Sequence, residues 1–237
     1  MSKTILITGA TSGFGKGAAL ELARRGHHII AGVRSDEKAE VLKAEAHDAG
    51  IDLEPIILDI TNPDHRQAAF ARQIDILVNN AGIMETGPVG EIPLELVRRN
   101  YETNVFGVVR VTQAFVDLLK KSPEPRIVNV STAMASLSLA ADPSAPGYDY
   151  KLAVYQSSKS ALNMYTVNLA HALRDTNFKV NAVCPGYTKT DFTNYQGTST
   201  VEEAGQRIAK YALIGQDGPN GKFISEEYFP EPASCPW

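Results

Sequence analysis

The sequence predicts an α/β fold in which one doubly wound parallel sheet of about seven strands carries helices on both faces. Strand and helix signals alternate from end to end, which indicates βαβ units. The inner runs Ile76-Leu77-Val78 and Ile127-Val128 are apolar throughout, as a sheet covered on both faces requires. No linker, repeat or low-complexity tract divides the 237 residues, so we expect a single domain.

Each element is assigned from its periodicity and its flanking turn residues. Apolar, β-branched runs predict strands at 4–8, 28–33, 53–58, 76–79, 127–130, 180–183 and 222–224. The segments between them predict helices at 15–25, 37–49, 63–72, 94–103 continuing into 105–121, 155–175 and 201–212. Residues 136–150 and 186–200 lack a helical period and follow strands. We therefore expect two long loops at the carboxyl edge of the sheet, where such folds bind ligands.

The composition argues against several classes of partner. The net charge is −4, and no stretch is basic enough to favour nucleic acid. No apolar stretch is long enough to span a bilayer, and a strand begins within the first residues, so we expect neither a membrane partner nor a leader. Cys184 and Cys235 form no metal-type cluster. We therefore expect no metal site and a reducing, cytoplasmic location.

The first predicted strand runs into Gly9-Ala10-Thr11-Ser12-Gly13-Phe14-Gly15, and a predicted helix follows. Glycines let a backbone turn sharply and approach a phosphate, and a helix N-terminus offers free N–H groups and a partial positive charge. This arrangement predicts a dinucleotide-phosphate site at the first βα turn. A tight turn without a ligand is the alternative.

Tyr155 and Lys159 lie four residues apart at the start of a predicted helix, so their side chains share a face. An ammonium group beside a phenol favours the phenolate. We therefore expect Lys159 to lower the pKa of Tyr155 and make it a proton donor or acceptor near neutral pH. A chance pairing is the alternative, since the chain contains nine tyrosines.

Other motifs accompany this pair in a fixed order. They are Thr8-Gly9-x-x-x-Gly13-x-Gly15, Asn79-Asn80-Ala81-Gly82, Asn104, Ser131-Thr132, Tyr155-x-x-x-Lys159 and Pro185-Gly186. Together they resemble the short-chain dehydrogenase/reductase superfamily over almost the whole chain, and the compact bacterial members and carbonyl reductases are the closest look-alikes. The resemblance implies one NAD(P)-binding Rossmann-type domain over residues 1–237. It also implies hydride transfer between a nicotinamide and a carbonyl compound or secondary alcohol.

The resemblance further implies the catalytic residues. Tyr155 would be the general acid or base, Lys159 would lower its pKa and bind the nicotinamide ribose, and Asn104 would kink its helix and hold a relay water. The substrate-binding hydroxyl falls on Thr132, where the family has serine, with Ser131 second and Ser136 third. For Asn104, a hydrogen bond to a neighbouring carbonyl is a compatible alternative role.

Cofactor contacts are implied in the glycine loop, at strand ends and after the sixth strand. The residues are Gly9, Thr11, Ser12, Gly13, Phe14, Gly15, Asp59, Ile60, Asn80, Ala81, Gly82, Tyr155, Lys159, Pro185, Gly186, Thr188 and Thr190. Two of these positions have structural alternatives. The segment 79–82 could be a strand-ending turn, and Asp59 could be a helix N-cap.

The end of the second strand indicates which dinucleotide binds. An acidic residue there favours a free 2′-hydroxyl, and a basic one favours a 2′-phosphate. Val33 occupies the acidic position and Arg34 follows it, so we expect a preference for NADP(H), with Arg34 and Ser35 on the phosphate. NAD(H) stays an alternative, because Arg34 could be a surface arginine and Asp36 is nearby.

The substrate is expected to be a mostly apolar carbonyl compound or alcohol, because its candidate lining residues are Met84, Ala133, Met134, Tyr148, Tyr150, Tyr187 and Phe192. The resemblance implies a homodimer or homotetramer that pairs through the helices at 105–121 and 155–175. Two other functions are weighed. A nucleotide-sugar epimerase is disfavoured by the short tail after the sixth strand, and a non-catalytic NADP(H) sensor or scaffold is disfavoured by the intact Tyr155–Lys159 pair.

Overall fold

The computed structural model describes residues 2–62, 64, 73–230 and 232–237. Seven parallel strands form one sheet in the order β3-β2-β1-β4-β5-β6-β7. The strands are β1 Thr4–Thr8, β2 His28–Val33, β3 Glu54–Ile57, β4 Ile76–Asn79, β5 Arg126–Val130, β6 Lys179–Val183 and β7 Phe223–Ile224. The predicted doubly wound α/β fold is confirmed, and the strand bounds differ from the predicted ones by at most one residue.

Helices fill the connections between strands. They are α1 Gly13–Arg24, α2 Asp36–Asp48, α3 Leu94–Tyr101, α4 Val108–Leu119, α5 Leu137–Ala141, α6 Ala153–Ala172 and α7 Val201–Ala212. The helix predicted at 63–72 lies outside the described residues, apart from Asp64. No helix in the described part of the chain combines the length and the apolar character needed to cross a bilayer.

The core lies in two layers, because successive residues of a strand point to opposite faces of the sheet. Ile5 and Ile7 of β1 pack in one layer with side chains of α1 and α7, such as Leu22 and Ile208. Leu6, between them in sequence, packs in the other layer with side chains of α4 and α6. Apolar residues at three successive positions of β1, from Ile5 to Ile7, are therefore needed to cover both faces.

The chain reverses its winding direction between β1 and β4, which are hydrogen-bonded neighbours with Ile5 opposite Ile76. From β1 the chain winds outward to β2 and β3, and from β4 it winds the other way to β7. A crevice opens beyond the carboxyl ends of strands at such a switch point. The fold therefore places the glycine loop and the 79–82 segment side by side.

Two details of local structure differ from the prediction. The helix predicted at 94–103 continues into the next one, as expected, but through a π-helical turn, Glu102–Gly107, that joins α3 to α4. The segment 136–150, expected to have no helix, contains α5, which begins because the Ser136 hydroxyl accepts a hydrogen bond from the Leu139 N–H. A side-chain N-cap of this kind can start a short helix without a long periodic pattern.

Candidate active site

A cavity of about 250 Å³ opens at the switch point, beyond the carboxyl ends of β1, β2, β4 and β5. Among the predicted site residues, those that line it are Gly9, Thr11, Ser12, Gly13, Phe14, Arg34, Asp59, Ile60, Asn80, Ala81, Gly82, Ser131, Tyr155, Lys159 and Thr190. The cavity thus brings together residues from both halves of the chain.

The glycine loop is tied to the end of β4. The Thr8 hydroxyl accepts hydrogen bonds from the N–H groups of Asn80 and Ala81, both at 3.0 Å. The Asn80 amide donates back to the carbonyl oxygens of Thr8 and Gly9. Gly9 has φ +64°, and a Cβ there would lie 2.9 Å from the Ala81 Cα. Glycine is therefore required where the two segments meet.

Among the described residues, several polar groups at the cavity lack a hydrogen-bond partner. The Ser12 side chain makes no hydrogen bond to the first turn of α1. Asn80 Oδ1 and Thr190 Oγ1 are buried, and no described residue hydrogen-bonds to them. Buried polar atoms need partners, and an uncapped helix N-terminus attracts anions. The glycine cradle and these groups fit a dinucleotide with its pyrophosphate at the start of α1.

The far end of the cavity lies at β2 and β3, where the sequence predicts the contacts to the ribose 2′ position. Arg34 is exposed there, and no described residue forms an ion pair with it. The Ser35 hydroxyl accepts a hydrogen bond from the Lys38 N–H and caps α2, and Ser35 does not line the cavity. Asp59 Oδ1 accepts hydrogen bonds from the N–H and the hydroxyl of Thr61, so this carboxylate forms a local turn and also lines the cavity.

Tyr155 and Lys159 lie at the opposite end, on one face of α6, and both are buried. Lys159 Nζ donates a 2.9 Å hydrogen bond to the Val130 carbonyl oxygen. Burial lowers the pKa of Lys159 to about 8. Burial also raises the pKa of Tyr155 well above its usual value, and the neighbouring Cys184 adds to the rise. This direction is opposite to the lowering expected from Lys159, because loss of hydration disfavours the charged phenolate.

Asn104 lies in the π-helical turn and is fully buried. Its Oδ1 accepts a hydrogen bond from the Ile83 N–H, and its Nδ2 donates to the Ile83 carbonyl oxygen and to the Ser158 hydroxyl. It does not line the cavity directly. Asn104 therefore joins the segment after β4 to α6, which is the carbonyl-bonded role given above as the alternative.

The two candidate hydroxyls after β5 have different partners. The Ser131 hydroxyl donates a 2.7 Å hydrogen bond to Asn163 Oδ1, and Ser131 lines the cavity. The Thr132 oxygen accepts a hydrogen bond from the Met134 N–H, and Thr132 is partly exposed but does not line the cavity. Ser136, the third candidate, is fully buried and caps α5.

Four other predicted cofactor residues lie away from the cavity lining: Gly15, Pro185, Gly186 and Thr188. Gly15 packs against Asn80 so closely that a Cβ would collide with it. Thr188 is fully buried, and its hydroxyl donates to the Gly186 carbonyl oxygen. These residues shape the loops that carry the lining residues.

The cavity has further lining residues that the sequence did not single out for it: Leu58, Thr61, Ile83, Thr103, Val130 and Asp191. Each lies within a residue or two of a recognised motif or strand end, and that proximity is the signal that could have identified them. Of the expected substrate-lining residues, only Phe192 lines the cavity. Ala133 packs instead in a small core with Cys184 and Phe223. No group of three or more His, Cys, Asp or Glu side chains in the described residues could hold a metal.

Fold and site together define a dinucleotide-binding α/β protein. Residues 3–200 match the family model described as short chain dehydrogenase. Short-chain dehydrogenase anuI of Penicillium roqueforti is 34% identical over 236 residues, covering 94% of each chain. Serine 3-dehydrogenase of Agrobacterium fabrum is 33% identical, covering 89% of this chain and 81% of its own. NADPH-bound carbonyl reductase from chicken fatty liver is 24% identical with a TM-score of 0.84, covering 100% of this chain and 99% of its own.

This chain belongs to the short-chain dehydrogenase/reductase family, and the predicted resemblance is confirmed. It is an oxidoreductase of the NAD(P)-dependent kind that the family comprises. The chicken enzyme bears on the fold alone, because its sequence identity is low.

Proposed function

We propose that this protein transfers a hydride between NADP(H) and a mostly apolar carbonyl compound or secondary alcohol, as a single-domain carbonyl reductase. The main support for this proposal is the buried Tyr155–Lys159 pair, which lies at the opposite end of the cavity from Arg34. The pair offers a proton, and the arginine offers a counter-charge for a 2′-phosphate. An apolar wall, Phe192, stands at the proton-donating end.

Tyr155 is the general acid of the proposed reaction. Because its pKa is raised, the phenol holds its proton at neutral pH and can donate it to a carbonyl oxygen. Lys159, with a pKa of about 8, changes charge close to neutral pH and can adjust the proton affinity of the neighbouring phenol. A bound NADPH supplies the hydride, and NADP+ accepts it in the oxidative direction.

The substrate experiment is NADPH oxidation by the purified protein with a panel of aldehydes, apolar ketones and serine. We expect turnover with apolar carbonyl compounds and a loss of about 100-fold or more in kcat for Tyr155→Phe, because a positioned acid contributes about that much. Tyr165→Phe, on the same helix, is the matched control. Turnover that survives in Tyr155→Phe contradicts the tyrosine mechanism. Tight NADPH binding without turnover favours the sensor alternative.

The preference for NADP(H) is supported by the position of Arg34, exposed at the cavity with no ion pair in the described residues. A guanidinium pairs with a phosphate through charge-assisted hydrogen bonds. We expect kcat/KM to favour NADPH over NADH, and Arg34→Ala to lower kcat/KM for NADPH by about tenfold or more while NADH is little affected. Arg24→Ala, at the exposed end of α1, is the control. A clear preference of the wild type for NADH would reject this assignment.

A homodimer or homotetramer is supported by large apolar side chains left exposed at the π-helical turn and on α6. Phe106 is 49% exposed and Met164 is 63% exposed. We propose that subunits pair through this surface, which would remove it from water. Sedimentation analysis of Met164→Glu should show smaller particles than the wild type. A monomeric wild-type protein would exclude the pairing.

A further inference from the structure

Residues 187–199 form a loop that is closed at its base. The Tyr187 carbonyl oxygen accepts hydrogen bonds from the N–H groups of Thr198 and Ser199, at 2.8 and 2.9 Å. The Lys189 N–H donates to the Ser199 carbonyl oxygen at 3.0 Å. The two ends of the loop therefore move together, and whatever holds the base determines where the rest of the loop lies.

Two charged side chains hold this base from outside the loop. Glu227 accepts hydrogen bonds from the Tyr187 N–H at 2.6 Å and from the hydroxyls of Thr198 and Ser199. Arg207 of α7 donates to the Pro185 carbonyl oxygen at 2.6 Å and to the Ser199 hydroxyl at 2.9 Å. Glu227 thus bonds both ends of the loop, and Arg207 bonds its second end and the chain just before its first end. Such charge-assisted hydrogen bonds are stronger than neutral ones.

Gly186, at the entrance to the loop, lies between these two side chains. A Cβ at this position would collide with Arg207 Nη1 and with Glu227 Oε2. Its φ of +98° also lies in the region that favours glycine. Glycine is therefore required at this position, because any side chain would occupy the space taken by the two charged groups.

The residues of the loop that follow Lys189 face the cavity. Thr190 and Phe192 line it, and the Thr190 Oγ1 is one of the buried atoms without a partner. The Phe192 ring lies edge-on to the rings of Phe14 and Tyr155, with centroids 6.4 and 5.8 Å away. A shift of the base would therefore move a prospective cofactor ligand and the aromatic wall beside the proton donor together.

We propose that Glu227 and Arg207 are positioning residues that hold this loop over the bound dinucleotide and so set the affinity for NADP(H). This inference depends on the proposed function, because that function supplies NADP(H) as the ligand. Both residues lie beyond residues 3–200, the part of the chain that matches the family model. The C-terminal part of the chain thus controls a loop that belongs to the family's shared part.

The test compares Glu227→Ala with Glu226→Ala. Glu226 is the matched control, because it bonds to Lys210 and Tyr211 on the same helix as Arg207 but makes no bond to the loop. Hydrogen exchange in the cofactor-free protein and NADPH binding, followed by nicotinamide fluorescence, are the two readouts. In Glu227→Ala we expect the amides of 187–199 to exchange about tenfold faster or more, with sheet amides unchanged, and the NADPH Kd to rise about tenfold.

Thr198→Val is the second variant should Glu227→Ala fail to fold, because it removes one hydroxyl bonded to Glu227 and keeps the side-chain shape. It should show the same pattern with a smaller amplitude. Unchanged loop exchange in these variants, or equal effects in Glu226→Ala, would overturn the proposal. Faster loop exchange with an unchanged Kd would overturn the claim that the loop's position sets the affinity for NADPH. A wild type that binds no NADPH would reject the proposed function, and the exchange data would still show whether Glu227 holds the loop.

Discussion

The ring of Phe192 lies edge-on to the ring of Tyr155, with 5.8 Å between centroids and 65° between planes. An apolar side chain from the loop after β6 therefore stands directly beside the proposed proton donor. We therefore expect a carbonyl substrate to pack against Phe192 when its oxygen approaches the phenol.

We expect Phe192→Ala to raise KM for small apolar ketones by about tenfold or more, because the variant loses apolar contact area that excludes water. Bulky ketones should become relatively better substrates. The measurement is kcat/KM over a series of ketones of increasing size. Tyr195→Ala, an exposed aromatic of the same loop, should leave the series unchanged. An identical size profile in Phe192→Ala would mean that the ring does not wall the substrate.

The hydrogen-bond partners of Ser131 and Thr132 separate their roles. The Ser131 hydrogen is directed to Asn163, whereas the Thr132 hydroxyl accepts a bond and keeps its hydrogen for another partner. We expect Thr132→Val to lower kcat by about tenfold or more and Thr132→Ser to restore it. Ser131→Ala should mainly lower the free energy of unfolding, by about 1 kcal/mol. Full activity in Thr132→Val with loss in Ser131→Ala would reverse the assignment.

The lowered pKa of Lys159 predicts a pH-dependent cost to folding in the cofactor-free protein. Below pH 8 the ammonium is charged in both states, and its burial costs on the order of 3 kcal/mol. Between pH 8 and about 10 the unfolded chain binds a proton that the folded chain lacks, so stability rises with pH. Lys159→Met should therefore raise Tm by roughly 5–10 °C at pH 7, and this gain should shrink towards pH 10. If the rise in Tm did not depend on pH, the buried charge of Lys159 would not be its cause.

Arg126 is 1% exposed and should be important for stability. Its guanidinium donates hydrogen bonds to the carbonyl oxygens of Ile214, Pro125 and Asn177 and thus joins three segments at the amino edge of the sheet. We expect Arg126→Met to lower the free energy of unfolding by about 3 kcal/mol, because three carbonyls lose their donor. Arg98→Met, on the exposed side of α3, should change it by less than about 0.5 kcal/mol in the same urea titration. Similar urea midpoints for Arg126→Met and Arg98→Met would contradict the stabilising role of Arg126.

The fold was predictable because its signals are local and repeat along the chain. β1, β2, β4 and α7 begin and end at the predicted residues, since apolar runs and capping residues mark them. The π-helical turn was not predictable from periodicity, because it is fixed by the contacts of Asn104 with Ile83 and Ser158, which are distant in sequence. The direction of the Tyr155 pKa shift was missed for a related reason, since burial depends on the whole structure.

The π-helical turn also limits how far this protein can be stabilised by redesign. A π turn accommodates an extra residue at a cost in helix energy, and such turns are frequent at functional sites. Substitutions or a one-residue deletion that convert Glu102–Gly107 to a regular α-helix would improve the helix but rotate Asn104 away from Ile83. The link between the segment after β4 and α6 would then be lost. Helix stability and the hydrogen bonds of Asn104 are therefore in direct competition in this segment, and engineering for thermostability should leave it unchanged.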